Sequence, residues 1–237
     1  KITGVDREVI EKWLYVIVGL TFISGILGTG HHYYYIGVGK AWLIIGGIFS
    51  ALEPLAFLGM ALFAIAMYRK GEKKHPNKIA LSWTLGTAIV SFVGAGLLGL
   101  AHTLPGVNMY THGTLVTAMH GHLAFWGAYG MIVLAAISYM MPNMTGRKLY
   151  DSGNGLTAFW LSNIGMIGMT TAFAAAGVAQ VYMERIMGME FGDAQNEIQV
   201  HFLILVLCAS LFTTGVGIFI YEFIRYGRPT DEALEQH

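Results

Sequence analysis

Charge is what this chain has least of. Only 12% of its 237 residues are Asp, Glu, Lys or Arg, against roughly 25% in an ordinary soluble domain. Its 14 basic and 14 acidic residues cancel, so there is no basic surplus of the kind that attracts nucleic acid. Cysteine is nearly absent. Cys208 stands alone, which excludes an internal disulfide and a Cys-x-x-Cys pair, and its place in an apolar run reads as that of a small buried hydrophobe. Dinucleotide fingerprint, phosphate loop and zinc-protease signature are missing too. Residue 1 is Lys rather than Met, and the opening KITGVDREVIEKW has no charged lead into a cleavable signal. It reads as a loop entering a helix, and the chain is expected to be the later part of a longer polypeptide.

What is abundant is apolar sequence. Hydrophobic residues make up 55% of the chain and mean hydropathy is +0.57. They fall in runs of about 20 or more between short polar loops, long enough at 1.5 Å rise per residue to cross a hydrocarbon core of about 30 Å. Six spanning helices are expected at roughly 12–30, 40–68, 79–101, 113–140, 156–182 and 199–224, giving an all-α, polytopic transmembrane bundle. Lys1, Arg7, Lys12, Arg69, Lys70, Lys73, Lys74, Lys78, Arg147, Lys148, Arg225 and Arg228 lie on one side, with only Lys40 and Arg185 opposite. The positive-inside rule puts that majority, and both ends of the segment, in the cytoplasm. Three outer connections result: 30–39 with its His pair and three tyrosines, 102–112 with Pro105-Gly106 as a turn, and the acidic 183–198. Trp42, Tyr34 and Tyr182 read as interfacial anchors. The glycines of GAGLLG (94–99) and NIGMIGM (163–169) read as helix-packing surfaces.

Ionisable residues inside such runs are costly and mark function by default. His120 and His122 lie well inside the fourth run. Two residues apart on a helix is about 200°, so these imidazoles face opposite sides and suit two cofactors, such as two haems flanking one helix. His31 and His32 close the first run between glycines that permit a bend, and nitrogen ligands suit iron, copper or zinc. His120 lies only about 10–12 Å down its helix from that same membrane side, so a metal held by the pair would sit near a cofactor on His120. Glu53 is an acid buried in the second run, able to exchange protons or ligate metal. Pro54 after it removes an amide donor and frees a carbonyl. His102 and His112 flank the second outer loop, where they either bond haem propionates or cap helix ends. His75 and His237 read as solvated and His201 as an interface residue. A channel or transporter lined by these groups is the alternative of a different class.

Three stretches carry a family resemblance: GTGHHYYYIG (28–37), ALEPLAF (51–57) and THGTLVTAMHGHLAFWGAYGM (111–131). The chain resembles the C-terminal half, about six of twelve core helices, of the catalytic large subunit of bacterial nitric oxide reductase, within the haem-copper oxidase superfamily. The resemblance implies His31 and His32 as two ligands of a non-haem iron, and Glu53 as a catalytic acid beside it or a further ligand. It implies His120 as proximal ligand of high-spin haem b3, His122 as an axial ligand of low-spin haem b, and His112 as a contact of the b3 propionates. It also implies calcium between the propionates, held mainly from outside this chain. The implied reaction is reduction of two NO to N2O and water in a bacterial inner membrane. The implied partners are the N-terminal half and a cytochrome c-type donor subunit, or quinol in a related variant. The third iron histidine, a second glutamate and the other low-spin ligand are implied on earlier helices. An oxygen-reducing haem-copper oxidase is the alternative. It normally carries a lysine in the helix at 40–68, which here has Glu53 and no internal Lys.

Overall fold

The structure is a computed structural model that describes residues 7–71, 77–145 and 152–226. The expectations placed on Lys1, Lys73, Lys74, His75, Arg147, Lys148, Arg228 and His237 lie outside those residues. Among the described residues the fold is all-α, with six helical spans long and apolar enough to cross a membrane: Glu11–Tyr33, Lys40–Lys70, Lys78–Thr103, Leu115–Pro142, Gly153–Ile186 and Gln199–Arg225.

The spans are assembled from shorter pieces, and each break has a local cause. The first is α1 (Arg7–Gly28) ending in a 3-10 turn over Thr29–Tyr33. The second divides into α2 (Lys40–Ser50) and α3 (Glu53–Lys70). Pro54 has no N–H to offer the Ser50 carbonyl, and the chain turns there through tighter bonds from Leu52 N–H to Phe49 O and from Leu55 N–H to Leu52 O, both 3.1 Å. Glu53 therefore stands in the first turn of a new helix rather than in the middle of an old one. The third span runs from α4 (Lys78–Ser91) through a π-helical stretch, Phe92–Leu97, into α5 (Leu98–Thr103). Pro105 does not make the expected turn: it opens a short helix, α6 (Pro105–Thr111), because the first helical position needs no amide donor.

The fourth span is α7 (Leu115–Phe125), a π-helical Trp126–Gly130, and α8 (Met131–Thr145). Then come α9 (Ser152–Gln180), a π-helical Val181–Ile186, α10 (Phe191–Glu197) and α11 (Gln199–Tyr226). Helix α9 packs along α11 and across α7, while α4 packs on α8 and α1 on α2. The core gathers around Trp83, which is fully buried. Its ring stands edge-on to those of Phe159, Trp126 and Phe219 at 5.0, 5.9 and 6.1 Å, the arrangement aromatic quadrupoles favour. Glycine lets helices touch. A Cβ at Gly215 would lie 2.5 Å from the Ser162 amide, and one at Gly165 would strike the Phe212 amide.

Outside the core, large apolar side chains such as Phe22, Ile44, Leu62, Trp160 and Leu207 are exposed, as lipid-facing or partner-facing surfaces are. Tyr34 departs from the anchoring role read for it. It is buried, and its hydroxyl donates to the Thr103 carbonyl at 2.7 Å. Burial, with Tyr35 beside it, holds that phenol above its ordinary range, so it stays a donor. Trp42 and Tyr182 are more than half exposed.

Candidate functional site

Two cavities lie on either side of α7. One, of about 400 Å³, is lined by His31, His32, Glu53 and His120, with Phe57 and Phe125 among its apolar walls. The other, of about 690 Å³, is lined by His122 together with Trp126, Met166, Phe212 and Val216. Gly121 and Phe125 border both. The two imidazoles thus open into separate spaces, as a two-residue offset on one helix requires.

His120 is held from across the bundle. Its Nδ1 lies 2.9 Å from the carbonyl of Gly94, inside the π-helical stretch of the third span, where wider turns divert carbonyls from the regular ladder. Gly94 is where this span meets α7: a Cβ there would fall 2.6 Å from the Leu123 carbonyl carbon and 2.7 Å from the Ala124 amide. A carbonyl accepts only from Nδ1–H, so the tautomer is assigned by this bond, and Nε2 keeps its lone pair for a ligand. His122 has Nδ1 2.8 Å from Ala118 O, four residues back on its own helix, and its ring lies 4.9 Å from that of Phe173. This too leaves Nε2 as the acceptor. The bond to its own helix is less specific than the bond His120 makes to another span.

His31 and His32 sit in the 3-10 turn with ring centroids 4.0 Å apart. His31 Nδ1 is tied to Gly28 O at 2.7 Å and to the Ser50 hydroxyl, which itself donates to Gly28 O at 2.9 Å. The expected bend is present, but the glycines around it serve contact: a Cβ at Gly30 would strike the Trp42 carbonyl, and one at Gly28 would lie 2.8 Å from Ser50 Oγ and 3.2 Å from Glu53 Oε1. Glu53 is half-buried at the same cavity. Among the described residues no three His, Cys, Asp or Glu side chains are grouped to hold a metal ion.

His112 lies elsewhere. It ends α6, is exposed, meets the Tyr35 ring edge-on at 5.1 Å, and its carbonyl accepts from Arg185 at 3.4 Å. Tyr35 holds a left-handed φ of 69°, a strained state for a residue of its size. Reading the sequence did not single out Ser50, the Gly94 carbonyl as the partner of His120, or the stacking of His102 on His120. It also missed Gln180, whose buried amide oxygen accepts from Leu115 N–H at 2.9 Å and so caps α7.

Haem and iron are fitted differently by these residues. An almost wholly apolar slot with one outward Nε2 suits a porphyrin face, and His120 has the same free nitrogen beside the small side chains of Ala95, Ala124 and Ala128. Two neighbouring imidazoles and a carboxylate on one cavity are the donor types iron takes, but they are too few for a closed set.

Similarity to known proteins points the same way. Residues 1–211 match the family described as cytochrome c and quinol oxidase polypeptide I. A nitric oxide reductase subunit of Stutzerimonas stutzeri is 46% identical over 96% of this chain and 50% of its own length. A cytochrome c oxidase subunit 1 homolog of Agrobacterium tumefaciens is 24% identical over 92% of this chain and 42% of its length. Cytochrome c oxidase subunit 1 of Thermus thermophilus is 23% identical over 84% and 38%. The chain spans half or less of the length of each of these relatives. With most of its length matched by that family and six apolar spans in an all-α bundle, the chain belongs to the cytochrome c and quinol oxidase polypeptide I family of haem-copper oxidase catalytic subunits.

Proposed function

We propose that the protein to which this chain belongs is a membrane-bound nitric oxide reductase, catalysing 2 NO + 2 e⁻ + 2 H⁺ → N2O + H2O. When bound, low-spin haem b, haem b3 and a non-haem iron supply the redox chemistry. His122 is the residue to hold the first and His120 the second, each through Nε2, with α7 as the wall between them. His31 and His32 supply two of the iron's nitrogen ligands, and Glu53 either adds an oxygen ligand or hands a proton into the cavity. The apolar walls around them exclude water and confine small neutral reactants. The observation that carries this reading is the meeting of His31, His32, Glu53 and His120 at one cavity while His122 opens onto another.

The 46% identity to a nitric oxide reductase subunit, against 23–25% to oxidase subunits over most of this chain, favours NO over oxygen as substrate. Glu53 in place of an internal lysine favours it too. The electron donor is a cytochrome c-type subunit or quinol, and the remaining iron and haem ligands come from the other half. The test is made on the full assembly. It should contain non-haem iron rather than copper and turn NO into N2O anaerobically, and His32→Ala should lower its non-haem iron. Copper in that site with oxygen consumption would establish the oxidase alternative.

A further inference from the structure

His102 has no part in the reaction proposed above. It lies near the end of α5, is 7% exposed, and fixes its own ring by Nδ1 against Leu98 O at 2.9 Å. That ring is stacked on His120, with centroids 4.8 Å apart and planes 21° from parallel. Nε2 of His102 is buried without a hydrogen-bond partner among the described residues. An unpaired buried nitrogen is costly and calls for a reason, and a side chain that only filled space would avoid it.

What the ring does contact is His120. The Gly94 carbonyl holds its ring at one atom, Nδ1. That bond holds the ring by one edge and leaves its face to be held by whatever packs against it. Gly99, opposite Cε1, has no side chain to pack there, although a Cβ would reach van der Waals contact at 3.6 Å. The stacked ring of His102 is what packs against that face. It is itself rigid, since its Nδ1 is tied to its own helix.

We propose that His102 is a positioning residue, whose stacked ring fixes the plane of the His120 imidazole and so the bond this imidazole makes to iron. The inference rests on His120 being the ligand of the high-spin haem. The orientation of an axial imidazole tunes the iron it holds, so the plane is readable without turnover.

The experiment uses the full assembly carrying His102→Leu, which fills the space without a flat face, and His102→Phe, which keeps the face. His120→Ala serves as a control. The readouts are the iron–histidine stretching band of the ferrous high-spin haem and that haem's midpoint potential, with low-spin haem content reporting intact folding. His102→Leu should displace or broaden the band and shift the potential, and His102→Phe should stay nearer the unaltered protein in both. An unchanged band and potential in His102→Leu, or a Phe variant displaced as far as the Leu variant, overturns the positioning role. If His120→Ala keeps its high-spin haem, the reading of His120 itself fails, and the two failures are thereby told apart.

Discussion

Three of the candidate ligands share one device. His31, His120 and His122 each turn Nδ1 to a backbone carbonyl, of Gly28, Gly94 and Ala118 respectively, so each presents Nε2 with its lone pair outward. Backbone partners of this kind fix the tautomer and raise the basicity of the nitrogen that binds a metal. Replacing His122 by Ala should abolish the low-spin haem signal of the full assembly while sparing high-spin haem. Optical spectra of the reduced protein decide it, and retention of both signals would reject the assignment. Glu53→Gln keeps the shape of the side chain and removes its charge and its capacity to relay a proton. Turnover with NO should fall by about 10²-fold, the scale of lost general acid–base assistance, with both haem spectra intact; steady-state assays showing an unaltered rate would leave Glu53 a structural residue.

At the scale of the element, the breaks in the helices place the chemistry. The Pro54 break puts Glu53 in the first turn of α3, at the cavity that His31, His32 and His120 line. The π-helical Phe92–Leu97 offers its Gly94 carbonyl to His120 at the point of closest approach to α7. Gly94→Ala would push a methyl group into the backbone of Leu123 and Ala124. An overpacked contact of this sort costs about 1–3 kcal/mol. The variant should melt earlier in detergent and lose high-spin haem before low-spin haem, which thermal denaturation followed in both Soret components will measure. The spans themselves could be read from the sequence because bilayer crossing demands long apolar runs, and the glycine-rich stretches announced close helix contacts. The π-helical stretches left no such mark: they arise from how neighbouring spans pack, not from local propensity. Pro105 misled for a related reason, since the same residue starts a turn or a helix according to the residues after it.

For the whole molecule, the histidines declared themselves because charge-capable groups are rare in apolar runs. Their spacing was enough to separate His120 from His122, though not to choose the metal. What stayed illegible depends on distance between spans: the Ser50 contact of His31, the His102 stack and the Gln180 cap on α7 join residues far apart in the chain. The described residues hold no three-sided metal group, and the chain covers 50% of the length of the nitric oxide reductase subunit it matches. Residues 1–237 produced alone should therefore bind little non-haem iron. Production together with the other half should restore it, as elemental analysis of the purified membrane complex will report; full iron in the chain alone would contradict the shared-ligand reading.

The aromatic nest around Trp83 has an optical consequence. Trp126 belongs to that nest and also borders the slot into which His122 opens. An excited indole so close to a porphyrin would surrender its energy before emitting, and Trp83, 5.9 Å from Trp126, would be darkened with it. Filling the slot should therefore quench ultraviolet emission from the protein interior.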